Sequence, residues 1–163
     1  MSTEYHKLSD YNPEQVPDAS AMRFAIIISE WNPAITEKLK EGVISTLQKY
    51  GAKSDNILEV YVSGSFELIY ASKRIIGSVK PDAVIALGCI IRGDTPHFDF
   101  VCSGVTQGLA QLNAEGDIPC IFGLLTTENL QQAIDRSGGR YGNKGDEYAI
   151  TAIKMAHLTH IFK

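Results

Sequence analysis

Four short apolar runs alternate along the chain with longer segments in which apolar residues recur every three or four positions. The runs are Phe24–Ser29, Ile57–Val62, Ala83–Ile91 and Cys120–Leu125, and each is hydrophobic on both of the faces a strand would present. Runs of this kind are typical of strands buried in a parallel sheet, and segments of helical period between them supply the crossover helices. The pattern predicts the order β-α-β-α-β-α-β-α-α.

Capping and turn residues predict where the helices begin and end. Asn32-Pro33 is expected to be an N-cap followed by proline at the first helical position, and Gly51 to end that helix. The second helix is expected to start near Ser65-Phe66 and to end before Gly77, and the third to follow Pro96. A short fourth helix is expected to be capped by Thr126 or Thr127 and to stop before Gly138-Gly139, and the last helix to be capped by Asn143.

Right-handed crossovers make these elements a three-layer sandwich, a flavodoxin-like four-stranded parallel sheet with helices on both faces. Residues 23–163 are expected to form this single α/β domain, which carries the candidate site. Residues 1–22, which include Pro13 and Pro17, are expected to form an extended N-terminal arm. Because four strands leave open edges, we expect the arm to pair with a neighbouring subunit's sheet.

Composition and charge narrow the class of ligand. The chain has 163 residues, of which 44% are hydrophobic and 21% charged, as in a soluble globular protein of one domain. Its net charge of −4 argues against a nucleic-acid groove or a polybasic membrane contact. No stretch approaches the ~18 apolar residues of a membrane helix, and the polar N-terminus resembles neither a signal nor a transit peptide. We expect a cytoplasmic protein with a small-molecule ligand.

Three cysteines lie at Cys89, Cys102 and Cys120, in apolar stretches and without a CxxC pair. This favours buried free thiols in a reducing compartment over a disulfide framework.

Polar loops follow the predicted strands. Because the carboxyl ends of parallel strands open on the same sheet edge, these loops are expected to form one crevice. Their aromatic, carboxylate, imidazole and hydroxyl groups would suit a flat polar heterocycle with a polyol or phosphate tail. The loops are Glu30–Asn32, Ser63–Glu67, Arg92–His97 and Thr126-Thr127.

Each of these side chains also has a plainer explanation. Trp31 could staple onto its own helix, and Glu67 could simply favour a helix dipole. His97 fits a proton carrier near neutral pH, or equally a solvated loop histidine. His97 and Asp99 have no second histidine nearby in the sequence, so we expect no metal site.

Candidate anion contacts occur in two places. Free N–H groups at the helix that starts near Thr95-Pro96 would attract a phosphate. Arg136, Arg140 and Lys144 flank a glycine-rich turn, where they are either a solvated helix end or a phosphate clamp. The chain has no GxGxxG, GxxxxGK[ST] or GxSxG segment, which removes the usual support for dinucleotide binding, nucleoside triphosphate hydrolysis and serine hydrolysis.

Taken together, Trp31-Asn32, Gly64–Glu67, Ile91–Asp99 and Gly142–Gly145 occur in the order and spacing that resemble the 6,7-dimethyl-8-ribityllumazine synthase family, over about Arg23 to Leu158. The segment RGDTPHFD after a GSFE loop is the most specific part. The resemblance implies a transferase of riboflavin biosynthesis that condenses 5-amino-6-ribitylamino-pyrimidinedione with 3,4-dihydroxy-2-butanone 4-phosphate, releases phosphate and water, and uses no cofactor or metal.

The resemblance also implies roles for individual residues. The implied contacts to the pyrimidine and its ribityl chain are Trp31, Ser65, Phe66, Glu67, Cys89, Ile90 and Ile91, with Phe122 and Lys144 from an adjacent subunit. The implied contacts to the butanone phosphate are Asp94 and Thr95, with Arg136 from the adjacent subunit, and the implied proton-transfer residue is His97. Trp31, Ser65 and Asp94 replace the family's commoner phenylalanine, alanine and glutamate.

The implied assembly is a homo-oligomer with shared active sites, either a pentamer or a sixty-subunit icosahedral shell, and association with a riboflavin synthase is left open. Because Ser137–Lys144 carries no evident insertion, the resemblance favours the shell. Two alternatives stand beside this function: a riboflavin synthase of related fold, which would dismutate two lumazines without a phosphate site, and a non-catalytic flavin- or lumazine-binding shell protein.

Overall fold

The computed structural model describes residues 12–162. Its centre is a four-stranded parallel sheet in the order β2-β1-β3-β4, which confirms the flavodoxin-like prediction. The strands are β1 (Phe24–Ser29), β2 (Ile57–Val62), β3 (Ala83–Ile91) and β4 (Cys120–Thr127).

Five helices cover the two faces of this sheet. They are α1 (Pro33–Lys49), α2 (Leu68–Ser78), α3 (His97–Glu115), α4 (Leu130–Ile134) and α5 (Lys144–Ile161). Two single 3-10 turns, Pro13–Gln15 and Ser54–Asn56, and a small antiparallel hairpin of β5 (Ser137–Gly139) and β6 (Gly142–Asn143) complete the described elements.

The alternation of side chains along the central strands builds two cores. Ile26 and Ile28 of β1 face α1 and α5, whereas Ala25 and Ile27 face α2 and α3. All six residues of β1 are buried, as its place between β2 and β3 requires. Full burial of an aliphatic side chain is worth about 1.5–3 kcal/mol, so these two layers hold the strand ends in fixed positions.

Half of the predicted arm of residues 1–22, positions 1–11, lies outside the described residues, as does its expected pairing with a neighbour's sheet. Of the remaining arm residues, Ala19 and Met22 are buried in the core beside α1. The N–H of Ala19 donates to the carbonyl of Tyr50 at 2.8 Å.

Several predicted boundaries were wrong. The short fourth helix is capped by Asn129, whose side chain accepts from the N–H of Gln132 at 2.9 Å, and not by Thr126 or Thr127. Both threonines belong to β4, because they pair with Ile90 and Ile91 of β3. Two further differences concern α2, which begins at Leu68 and continues through Gly77 to Ser78. The fourth helix ends at Ile134, before Gly138-Gly139 as predicted, and these glycines belong to β5.

The edge strand β2 is less buried than its apolar sequence suggests. Leu58 and Tyr61 are exposed at this edge of the sheet. The Nζ of Lys40 on α1 donates to the hydroxyl of Tyr61 at 2.7 Å and pairs with Glu59 at 3.3 Å, so polar contacts tie the edge strand to the helix beside it. None of the helices in the described part of the chain combines the length and apolar character that a membrane crossing needs.

Candidate active site

A crevice lies at the carboxyl ends of β1, β2 and β3, where the sheet order predicts a ligand site. It has a volume of about 730 Å³. Aromatic and aliphatic groups dominate its walls, with a carboxylate, an imidazole and two hydroxyls among them. The lining residues are Trp31, Gly64, Ser65, Phe66, Glu67, Cys89, Ile90, Ile91, Gly93, Thr95, His97, Phe98, Phe100 and Val101.

The first wall of the crevice is the turn between β1 and α1. Trp31 is 71% exposed, so its indole face is open to a ligand and does not act as a buried staple. Asn32 stands at the N-cap position, but its side chain makes no cap hydrogen bond, contrary to the sequence prediction. It has φ 61°, in the left-handed region, and its Nδ2 donates to the carbonyl of Cys89 at 2.9 Å. This bond fixes the tryptophan turn against the end of β3.

The second wall is the loop between β2 and α2. Ser65 is buried, and a Cβ at Gly88 of β3 would lie 2.8 Å from its Oγ. The Phe66 ring covers Gly104 of α3, where a Cβ would lie 2.9 Å from the ring. Only glycine at these two positions allows the loop to approach so closely. Glu67, exposed at the start of α2, presents its carboxylate at the rim.

The floor of the crevice is the end of β3. Cys89 is buried, and burial raises the pKa of its thiol to about 12, so the thiol is neutral over the physiological pH range. Ile90 and Ile91 are partly exposed. A buried, neutral thiol is a poor nucleophile, which argues against catalysis by Cys89. It is compatible with ligand contacts made by the backbone groups of these three residues.

The third wall is the start of α3. His97 is the first residue of this helix and is exposed, and Thr95 lies just before it. Pro96 at the N-cap position makes no side-chain cap. The first N–H groups of a helix have no partner within it, so this end of α3 offers donors and a positive dipole to an anion in the crevice.

Four of the predicted site residues do not line this crevice: Asp94, Phe122, Arg136 and Lys144. Asp94 is exposed on the loop beside it. Phe122 is 41% exposed on the edge strand β4. Arg136 follows α4 and donates from Nη1 to the carbonyl of Gln132 at 3.0 Å, while Lys144 begins α5 and pairs with Glu147.

The crevice therefore contains no lysine or arginine among the residues that the structure describes. Its charged or titratable groups on the open walls are Glu67 and His97. A doubly charged phosphate bound here would need cations from outside the same chain's crevice.

Sequence reasoning missed the hydrogen bond by which Asn32 joins the β1–α1 turn to β3, and it missed Phe100 and Val101 as lining residues. The latter two follow His97 at spacings of three and four, which place them on the same face of α3. That spacing was the available signal. Within residues 12–162, no group of three or more histidine, cysteine or acidic side chains is arranged to hold a metal ion.

The fold and the crevice define a flavodoxin-like α/β protein with a candidate ligand site at the carboxyl edge of its sheet. The family model of 6,7-dimethyl-8-ribityllumazine synthase matches residues 21–160. The chain belongs to this family.

Similar proteins of known name cover nearly the whole chain. A 6,7-dimethyl-8-ribityllumazine synthase of Phocaeicola vulgatus is 66% identical over 155 residues, 95% of this chain and 92% of the relative. Those of Parabacteroides distasonis and Porphyromonas gingivalis are 58% and 54% identical, covering 98% and 99% of this chain and 99% and 100% of the relatives. The recognition made from the sequence motifs is confirmed.

Proposed function

We propose that this chain is a transferase of riboflavin biosynthesis that condenses 5-amino-6-ribitylamino-pyrimidinedione with 3,4-dihydroxy-2-butanone 4-phosphate to give 6,7-dimethyl-8-ribityllumazine, phosphate and water. Family membership over almost the full chain supports the reaction. The observation that carries the proposal is the crevice itself, which combines an open indole face, a rim carboxylate and an imidazole at a helix start.

The pyrimidine and its ribityl chain are assigned to the first two walls and the floor. An aromatic heterocycle would stack on Trp31, and the hydroxyls of the ribityl chain would donate to Glu67. Ser65 and Phe66 shape the same wall, and the backbone groups of Cys89, Ile90 and Ile91 would pair with the edge of the ring. The size and largely apolar lining of the crevice support this assignment.

The butanone phosphate is assigned to the start of α3, with Asp94 and Thr95 beside it. The missing cation is assigned to Arg136 of a second copy, which would also bring Phe122 and Lys144 to the pyrimidine side. Support comes from the crevice, whose lining within residues 12–162 contains neither lysine nor arginine, while these three residues lie elsewhere on the same chain. Arginine suits this role because its planar fork binds a phosphate through two parallel hydrogen bonds.

The chemistry needs positioning and proton transfer. The amine of the pyrimidine attacks the ketone to form a Schiff base with loss of one water, and phosphate then leaves. After tautomerisation, the ribitylamino nitrogen closes the ring on the remaining carbonyl with loss of a second water, which gives the lumazine. Holding two reactive substrates in register supplies most of the acceleration, because a bimolecular step becomes effectively unimolecular. His97 is assigned the proton transfers, since imidazole can both accept and donate near neutral pH.

The assembly is proposed to be a homo-oligomer, either a pentamer or an icosahedral shell of pentamers. Its proposed location is the cytoplasm, and a riboflavin synthase is a candidate partner. Exposed aromatic and aliphatic groups on α2, α3 and α4 support burial against further copies: Tyr70, Phe100, Leu130 and Ile134. Light scattering on the purified protein separates a pentamer from a shell.

One experiment separates this function from its two alternatives. Purified protein is mixed with both substrates, and lumazine absorbance and free phosphate are followed together. We expect lumazine and phosphate to form in equal amounts. Consumption of added lumazine with formation of riboflavin would indicate a riboflavin synthase, and tight lumazine binding without turnover would indicate a carrier or shell protein.

A further inference from the structure

Arg92 lies directly after β3, and three groups around it fix its guanidinium. Its Nε donates to Oε2 of Glu128 at 2.7 Å. Its Nη2 and Nη1 donate to the two carboxylate oxygens of Asp99, at 3.0 and 3.3 Å. The guanidinium carbon also lies 4.1 Å from the centroid of the Phe98 ring. The guanidinium thus makes two hydrogen bonds to one carboxylate and a third to another, and it stacks on a ring. Together these contacts leave it one orientation.

These contacts join three elements at the base of one loop. Asp99 is in the first turn of α3, two residues after His97, and Glu128 follows the last residue of β4. The backbone N–H of Arg92 donates to the carbonyl of Thr127 at 2.9 Å, which adds a fixed point on β4. We call Arg92, Asp99 and Glu128 the clasp.

The loop that the clasp closes has few other fixed points. A Cβ at Gly93 would meet nothing within 4 Å. Within the described residues, the side chains of Asp94 and Thr95 make no hydrogen bond or ion pair. The clasp lies at the two ends of this loop. It therefore determines the position of the loop and of the helix start that carries His97.

An arginine beside a phosphate subsite would ordinarily be assigned to the phosphate itself. Arg92 does not suit that role, because one positive and two negative charges give the clasp a net charge of −1. Its guanidinium points at carboxylates, and Arg92 is not among the residues that line the crevice. A phosphate would gain little electrostatic attraction from a guanidinium that is already paired with two carboxylates.

We propose that Arg92 is a positioning residue: it holds the first turn of α3 through Asp99, and the end of β4 through Glu128, so that His97 and the helix N-terminus face the bound substrates. This rests on the function proposed above. Lysine cannot replace it, because a single ammonium cannot make the paired and stacked contacts at once.

The kinetic test uses Arg92→Gln, Arg92→Lys, Asp99→Asn and the double variant Arg92→Gln/Asp99→Asn, with Lys38→Gln as the control. Lys38 makes an exposed ion pair with Glu41 on α1, away from the clasp. We expect both Arg92 variants and Asp99→Asn to lower kcat about tenfold, since small displacements of reacting groups are costly. The kcat of the double variant is expected to be no lower than that of the slower single variant, because Arg92 and Asp99 act as one unit.

The direction of the Asp99→Asn effect distinguishes positioning from direct phosphate binding. If Arg92 contacted the phosphate, neutralising Asp99 would free the guanidinium and lower KM for the butanone phosphate. Such a decrease, or wild-type kcat in Arg92→Gln, would overturn the proposal.

Hydrogen–deuterium exchange followed by mass spectrometry supplies a readout that does not depend on turnover. Amides of residues 93–101 are expected to exchange faster in Arg92→Gln than in the wild type or Lys38→Gln, with the remaining peptides unchanged. Unchanged exchange there would also overturn the proposal. If the wild-type protein forms no lumazine, the proposed function fails, whereas the exchange result still decides whether Arg92 holds this turn.

Discussion

Asn32 shows how one side chain can couple a wall of the crevice to its floor. Its left-handed backbone conformation is one that asparagine tolerates better than most residues, and its amide reaches the end of β3. The Asn32-Pro33 pair predicts a helix start at the right place, yet the side chain is used for a contact with a strand 57 residues away. Local sequence cannot indicate that contact, because it exists only once β1 and β3 are adjacent.

Substitution of Asn32 separates the hydrogen bond from the backbone conformation. Asn32→Gly loses only the bond to Cys89, at a cost of about 1 kcal/mol, whereas Asn32→Ala must also hold alanine in the left-handed region, at a further cost of about 1–2 kcal/mol. We expect melting temperatures in the order wild type, Asn32→Gly, Asn32→Ala. An alanine variant as stable as the wild type in thermal denaturation would contradict the structural assignment.

His97 is the proton carrier in the proposed reaction. We expect His97→Ala to lower kcat by about one to two orders of magnitude, at or below the usual range for general acid–base catalysis, with little change in pyrimidine affinity. The loss is partial because the substrates are reactive and positioning remains. His157→Ala, on the exposed face of α5, is the matched control. An unchanged kcat, where chemistry is shown to limit turnover, would remove His97 from the mechanism.

At the scale of elements, the apolar runs predicted β1, β2 and β3 well because burial and strand formation coincide there. The predicted end of β4 was wrong. Thr126 and Thr127 have the polar character of capping residues, whereas pairing with β3 extends the strand through them. The β5–β6 hairpin was missed for a similar reason, since a turn rich in glycine has no apolar pattern. Boundaries set by tertiary pairing are hidden from a local pattern.

The contact between α1 and α5 offers a test of element packing. Gly145, near the start of α5, lies so close to α1 that a Cβ would collide with the carbonyl oxygen of Leu39. Gly77, near the end of α2, has open space around it. We expect Gly145→Ala to destabilise the fold by about 2 kcal/mol or more through backbone displacement, and Gly77→Ala to stabilise it by up to about 1 kcal/mol through helix propensity.

Thermal denaturation of the two glycine variants measures this contrast. For a chain of this size, each kcal/mol shifts the melting temperature by about 2–4 °C. Equal melting temperatures for Gly145→Ala and the wild type would show that α1 and α5 do not approach as closely as described.

At the scale of the whole molecule, sheet order explains why the predicted loops meet. The order β2-β1-β3-β4 brings the loops after β1, β2 and β3 around one crevice, and the positions of Trp31, Glu67 and His97 there could be predicted from strand ends alone. The roles of Phe122, Arg136 and Lys144 could not, because nothing in composition or spacing indicates a second chain. Those roles come from the family resemblance and stay a prediction.

The proposed division of the site between two copies is tested most directly by mixing two variants of low activity. His97→Ala would lack the proposed proton carrier in one half of the site, and Arg136→Ala would lack the proposed phosphate cation in the other. After verified subunit exchange, some interfaces would combine an intact His97 with an intact Arg136 from the neighbour, and we expect the rate of lumazine formation to rise well above the average of the two variants. A mixture that exchanges subunits yet is no more active than that average would contradict a site shared between subunits.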